Sequence, residues 1–539
     1  MSEHLLDHKL DAIRLGQLRI VEGVGRDPTK ACLNGTRIDM LDTIRKWIHG
    51  SIDTRMFLLI GQAGAGKSAI AQSIANEYAK AGRLGSAFCF SKDSDPSSFF
   101  RTIARNLADL DPLYASTLGA SMTSETEATQ VPEIQMKQML LQPFEGLSVL
   151  GPVVIVIDAL DECSNPDPIV ECLVHNIIAF PSNIRFLVTS RPSEAQDLVR
   201  QSWAKVFDLS HHPASDHDLL LYVKDQLKAY HDRLEPEDLG RIVSASEGLF
   251  QYASVVCKEM LSAFKYRSQE SPEQVFTRLV KDSQAGLDGL YKGILSNLYG
   301  GDCDDRGGER DSEALIVFRQ VMGWVLLAQH RLTHQTLVDF GLMLEPLGSK
   351  RPGYDAVSRA LRPLGALLSG THAPTDIVYP LHSSIGNFLQ DPQRSGRFYI
   401  GPDSSHHDSI TFVSLKLMLN GLRFNIAELE TSYLLNDEVP NFDERVSSHV
   451  PRSLSYACIH WATHLRLSCC TEDQVDFMPE IQTLFNQNFI FWLEVLGLEK
   501  SVPSAETACQ YLLWWLKVST VPRCAHVIAN KISGQLSFE

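Results

Sequence analysis

The stretch Gly61-Gln62-Ala63-Gly64-Ala65-Gly66-Lys67-Ser68 carries chemistry in both its residue types and its spacing. It fits G-x-x-x-x-G-K-[ST], in which glycines free the backbone to turn N–H groups inward around a polyphosphate. Lys67 is placed to reach the β- and γ-phosphates, and the Ser68 hydroxyl to ligate Mg²⁺. Ala69 follows at the start of a helix, whose N-terminus adds partial positive charge. Gln62, Ala63 and Ala65 complete the nucleotide-binding stretch. A glycine-rich turn could match by accident, but the strand-like MFLLI before it and the helical SAIAQSIA after it are the context the mechanism requires.

Two further segments supply carboxylates and a cation. In VVIVIDALDEC (153–163) an aliphatic run ends in Asp158, with Asp161 and Glu162 three and four residues on. A buried strand delivering Asp158 to the sheet edge lets it hold Mg²⁺ directly or through water. Alone, a strand ending in Asp is more often a solvated turn; about ninety residues after a phosphate loop it reads as the Walker B element. In FLVTSRP (186–192) Thr189, Ser190 and Arg191 sit at another strand tip. Strand tips of a parallel sheet share one edge, so these groups can meet the γ-phosphate; the plain reading is a surface Arg before the turn-forming Pro192.

The elements that must position these residues follow from hydrophobic patterning. MFLLI (56–60), SAFCF (86–90), VVIVI (153–157) and RFLVTS (185–190) are strand-like, and SAIAQSIANEYAKA and SFFRTIARNLADL are helical. Strands alternating with helices and apolar on both faces predict a parallel sheet covered on both sides, an α/β P-loop domain. TRIDMLDTIRKWI (36–48) predicts an amphipathic helix with Ile38, Leu41, Ile44 and Ile48 on one face. Leu6, Leu10 and Ile13 suggest a short docking helix, and 123–133 a surface loop. Past 210 strand signals become scarce. DLLLYVKDQLKAY, GLFQYASVVCKEMLSAF, ALIVFRQVMGWVLLAQ and THQTLVDFGLML read as helices, DIVYPLH (376–382) as a strand, and residues 401–539 as helical with Trp461, Trp492, Trp514 and Trp515 in the core.

At 539 residues the chain is too long for one core, and its 44% hydrophobic and 21% charged residues are ordinary for a globular protein. A net charge of −16 argues against a nucleic-acid backbone as the main partner. No apolar run approaches a membrane span, no signal peptide is evident, and eleven cysteines show no CxxC or zinc spacing, so a cytoplasmic protein with reduced thiols is expected.

Together, CLNGTRIDMLDTIRKWI, GQAGAGKS, VIDALDEC, VTSRP, EGLFQYAS and YPLHSSIGNFL resemble the NACHT class of STAND signalling NTPases, especially the fungal set related to nephrocystin's N-terminal NTPase region. The resemblance spans residues 32 to about 400. It implies a helical lead-in (1–50), a nucleotide-binding domain (51–207), a helical lid (208–290), a winged-helix-like domain (291–400) and an α-helical region (401–539). It implies ATP/ADP and Mg²⁺ as ligands, slow hydrolysis that controls opening, protein partners and homo-oligomerisation in the ATP state. Such proteins serve fungal innate immunity or self/non-self recognition. Lys67, Ser68 and Asp158 match the family's phosphate and metal positions, Asp161 and Glu162 its water-positioning acids, and Arg191 its sensor arginine. His382 resembles the histidine that touches the ADP β-phosphate, although Ser383 stands where an aspartate often follows. Gly248-Leu249-Phe250 replaces a common Gly-Leu-Pro, so Phe250 takes the place of the proline that packs on the base. Relatives usually continue into repeats, so the chain reads as a switch core without a recognisable repeat sensor.

The alternative is a nucleotide-bound scaffold for protein–protein interaction that hydrolyses nothing. A processive motor fits the downstream helical modules less well, and a GTPase would need an N-K-x-D motif that is missing. The acidic, histidine-rich 211–218 reads as a solvated loop rather than a metal site. Asp302, Asp304, Gly307 and Glu313 have calcium-loop spacing, but Arg306 opposes a cation. Cys469 and Cys470 read as thiols.

Overall fold

In a computed structural model the described residues are 25–50, 53–91, 98–122, 131–163, 165–266, 274–275, 277, 286–299, 313–344, 354–401, 404–431, 433–468 and 477–518. The lead-in helix, most of the 123–133 loop, the calcium-like loop before Glu313 and Cys469–Cys470 lie outside them. The chain forms two compact units, residues 1–286 and 287–539.

The first unit is built on five parallel strands: β1 (Met56–Ile60), β2 (Leu84–Cys89), β3 (Val153–Asp158), β4 (Ile184–Ser190) and β5 (Ala204–Asp208). Their order across the sheet is β2-β3-β4-β1-β5. Alternation within each strand divides the core in two, because successive side chains point to opposite faces. Met56, Leu58, Ile60, Val153, Ile155 and Ile157 pack on one side with Ile103 and Leu107 of helix Phe99–Leu110 and with Ile169 and Leu173 of helix Asp167–Asn176. Phe57, Leu59, Val154 and Val156 pack on the other with Ile70 and Ile74 of helix Lys67–Lys80 and with Leu41, Ile44 and Trp47 of helix Ile38–Ile48. Both faces are buried, so β1 and the first five residues of β3 read as unbroken apolar runs rather than alternating ones, and β4 carries such a run in Phe186–Val188.

Two expectations change in detail. β5 was not among the sequence's strand signals: as an edge strand with Lys205 and Asp208 it is only half-buried, so its apolar content is thin. Ile38 is 55% exposed, and Met40 and Trp47 take the buried face of its helix. Helices Asp216–Gln226, Pro236–Ala245 and Phe250–Tyr266 complete the unit.

In the second unit, helices Glu313–Leu327, His334–Met343 and Tyr354–Leu361 are followed by a two-stranded antiparallel ribbon, Leu368–Ser369 with Tyr379–Pro380. An isolated bridge joins Thr333 to Ile377, so the predicted strand at 376–382 is short. Helices Ser404–Gly421, Arg452–Leu467, Phe489–Leu498 and Pro503–Val518 form the helical C-terminal region. Trp461, Trp492 and Trp515 fill its core; Trp514, expected there too, is 45% exposed on the outer face of its helix. Among the described residues seven cysteines are free thiols, and no helix is long and apolar enough to cross a membrane.

Candidate nucleotide site

The loop after β1 turns on glycines at positive φ. Gly64 lies at φ +83° and Gly66, the N-cap of helix Lys67–Lys80, at φ +90°. A Cβ on Gly64 would also come within 2.6 Å of the Gln251 Cβ, so both backbone angle and space demand glycine. Lys67 is the first residue of the helix, and its Nζ donates to the carbonyls of Gly61 (2.8 Å) and Gln62 (3.1 Å) within the same loop. Burial pulls the Lys67 ammonium below its ordinary range; Asp161, then Asp158 and Glu162, oppose that shift, while Arg191 adds to it. Four charges from two chain segments therefore act on one lysine.

β1, with the phosphate loop, and β3, with Asp158, are not neighbours; β4 runs between them. This topology explains Thr189. Its hydroxyl, on fully buried β4, donates to Asp158 Oδ1 (2.6 Å) and accepts from the Ala159 N–H (2.9 Å). Thr189 thus orients the carboxylate and the first residue beyond it. Asp158 is 1% exposed, and burial raises its carboxyl pKa; hydrogen bonds from Thr189, Ser68 and Cys89 counter the rise. The Cys89 thiol, at the end of β2, donates to Asp158 Oδ2 at 3.4 Å, and burial beside that carboxylate pushes the thiol well up. The Ser68 hydroxyl and the Asp158 carboxylate are hard oxygen donors in contact with each other, a donor set that fits Mg²⁺.

Beyond β3 the chain makes a one-turn 3₁₀ helix, Leu160–Glu162, entered through Ala159 at φ +55°, an uncommon angle for a residue with a side chain. That turn brings Asp161 to Arg191, with Nε 2.8 Å from Oδ2. Glu162 lies at the end of the turn, and its charge acts on Lys67. Ser190 is fully buried and donates to the Arg191 carbonyl at 3.2 Å. Asp158, Asp161, Glu162, Thr189 and Arg191 are thereby gathered at the sheet edge where the phosphate loop begins. His382 belongs to the second unit, where its Nδ1 accepts from the Ser384 N–H at 3.1 Å and caps helix Ser383–Leu389.

Two residues of the site, Arg37 and Cys89, carry no sequence sign of their role. Arg37 lies in the GTR of the 32–48 motif. Its guanidinium is buried, with Nη2 donating to the phosphate-loop carbonyl of Ala65 and Nη1 to the carbonyl of His212, both at 2.9 Å. It lies 5.5 Å from the ring centre of Phe250. Phe250 itself stands beside the loop, 3.5 Å from where a Gly66 Cβ would be. A lone Arg before a helix gives no sequence sign of burial; only the fold brings residues 37, 65, 212 and 250 together. In the 211–218 segment, Asp218 accepts from the Arg37 N–H (3.3 Å), His212 stacks on Phe207, and Ser215 caps helix Asp216–Gln226.

Comparisons with known proteins place this geometry in context. Residues 35–191 match the family described as Nephrocystin 3, N-terminal. Over 512 residues the chain is 22% identical to the vegetative incompatibility protein HET-E-1 of Podospora anserina; the match covers 87% of this chain and 35% of that protein. The chain thus spans about a third of the length of that relative. Among solved structures it is similar to a Walker-type ATPase of Pyrococcus abyssi, at 14% identity and a TM-score of 0.29, covering 65% of this chain and 94% of that one. It is also similar to Drosophila ORC bound to DNA, at 14% identity and a TM-score of 0.33, covering 70% and 90%.

Proposed function

Residues 35–191 form a nephrocystin-type region like that of fungal NACHT-type NTPases, and on that premise we propose that the chain is an ATP/ADP switch in which slow hydrolysis sets how long the active state lasts. The observation that carries this reading is the grouping of Lys67, Asp158, Asp161, Glu162 and Arg191 at one end of the parallel sheet. Polyphosphate binds along the N–H groups of residues 61–69, and Lys67 transfers its hydrogen bonds from Gly61 and Gln62 to phosphate oxygens. Ser68 and Asp158 would hold Mg²⁺, which would neutralise phosphate charge. Thr189 and Cys89 hold the Asp158 carboxylate in place. Glu162 orients the attacking water, and Asp161 keeps Arg191 at the edge of the site, poised to turn to the γ-phosphate. Phe250 and the Arg37 side chain border the loop where a purine base would pack.

The ribbon and three helices of the second unit support a winged-helix reading of 291–400, with His382 as its nucleotide contact. In the proposed cycle ADP holds the modules closed, and ATP opens them and permits self-association. The similarity to a vegetative incompatibility protein supports a role in fungal self/non-self recognition. The Asp161–Arg191 ion pair gives the scaffold alternative its one foothold, since a permanently paired arginine cannot reach phosphate. Identifying the nucleotide that copurifies and measuring particle mass with ADP and with a non-hydrolysable ATP analogue tests the switch: it requires larger particles with the analogue, and equal masses would leave the scaffold.

A further inference from the structure

The second unit holds a cavity of about 510 Å³ that the nucleotide chemistry does not use. It opens between the turn after helix Glu313–Leu327 and helices Phe442–His449 and Arg452–Leu467. Its volume lies within the range of roughly 300–1,000 Å³ typical of small-molecule sites. Part of its lining is a set of rings: His460 meets both His330 and Tyr456, with centroids 4.8 Å apart in each pair. Val446, Val450 and Leu498 add aliphatic surface, a combination that suits a flat ring.

The ring set is held from behind. The Tyr456 hydroxyl accepts from the Gln329 N–H (3.0 Å) and bonds His464 Nε2 (2.8 Å), and His464 Nδ1 bonds His407 Nδ1 (2.8 Å). A wall fixed this way loses little entropy on binding. Burial drives the His460 imidazole down to about 3, so it faces the cavity as a neutral group able to donate and accept. Among the described residues no set of three His, Cys, Asp or Glu side chains stands ready to hold a metal ion.

Charge at the mouth selects further. Arg452 and Lys500 are exposed cations, and Asp443 and Glu499 set two anions against them. A simple anion would meet both carboxylates and a simple cation both basic groups, whereas a molecule with one charge of each sign meets complementary partners.

We propose that this cavity binds a small zwitterion bearing a flat ring, an aromatic α-amino acid or a compound of that class. The ring lies against the His330, His460 and Tyr456 rings, the carboxylate turns to Arg452 and Lys500, and the ammonium turns to Asp443 and Glu499. Because Tyr456 is bonded to Gln329, occupancy also reaches the turn that joins two helices of the preceding module. The proposal stands apart from the nucleotide reading.

Calorimetric titration of the full chain with L-phenylalanine, L-tyrosine and L-tryptophan tests it, with L-leucine and indole as the ring-less and charge-less comparisons. At least one aromatic amino acid should saturate a single site with Kd below about 1 mM, and leucine and indole should bind about ten-fold more weakly or not at all. The Arg452→Glu, Lys500→Glu double variant, altered only at exposed positions, should weaken binding about ten-fold. Lys67→Ala should keep this binding while losing nucleotide, which separates the two sites. No saturation by any of the three amino acids, equal binding of leucine, or an unchanged Kd in the double variant would each overturn the proposal.

Discussion

At the residue scale, the site depends on groups that touch its acids rather than phosphate. Thr189→Val keeps the shape but removes the donor to buried Asp158 and the acceptor for the part-buried Ala159 N–H, at a cost of about 1–3 kcal/mol. Melting should fall accordingly, hydrolysis should need more Mg²⁺, and Thr189→Ser should restore both; a Mg²⁺ dependence identical to wild type would deny Thr189 its positioning role. Arg37→Ala strips the donor from two carbonyls in a buried setting, with an expected loss of about 2–3 kcal/mol read by chemical denaturation. Arg37→Lys should not rescue it, since one ammonium lacks the planar fork that spans Ala65 and His212. Lys67, Ser68 and Asp158 were legible in the sequence because glycine spacing and a strand ending in acid are local signals. Arg37 and Cys89 were not, because their meaning comes from contacts across 28 and 69 positions of chain. Thr189 was legible as a strand-tip polar group, yet its partner emerged only when β4 was found between β1 and β3.

Elements explain why the loop tolerates little change. Gly64→Ala places a methyl at positive φ and against Gln251, at the start of helix Phe250–Tyr266. Backbone strain alone is worth about 1–2 kcal/mol, so ATP binding measured by fluorescence of a labelled analogue should fall about ten-fold or more; unchanged affinity would mean that the loop rearranges freely. Four of the five strands were readable from their apolar residues: β1, β3 and β4 lie inside the sheet, and β2, although at an edge, has its four middle residues buried. β5 was not, since an edge strand half open to solvent carries no such run. The same logic covers Ile38 and Trp514: helical spacing says which residues share a stripe, but only packing decides which edge of the stripe is covered.

For the whole molecule, the two units should answer to different conditions. Burial lowers the pKa of His460 to about 3 and that of His464 well below its ordinary value, so the unfolded chain takes up protons that the folded second unit refuses. Stability from these groups is present above pH ~6.5 and is lost as pH falls toward 3; His460 alone accounts for about 2 kcal/mol at pH 5. Hydrogen exchange, corrected for the intrinsic rate at each pH, should show lower protection of helix Arg452–Leu467 at pH 5 than at pH 7, and equal protection at both values would contradict the burial argument. ADP should instead slow exchange in residues 61–69. The central claim is that the acids beyond β3 run hydrolysis that times a switch. Single-turnover hydrolysis of bound ATP with Mg²⁺, comparing wild type with Glu162→Gln, tests it most directly. Wild type should convert bound ATP slowly to ADP, and the variant should retain ATP intact. Identical turnover by the two proteins would contradict it.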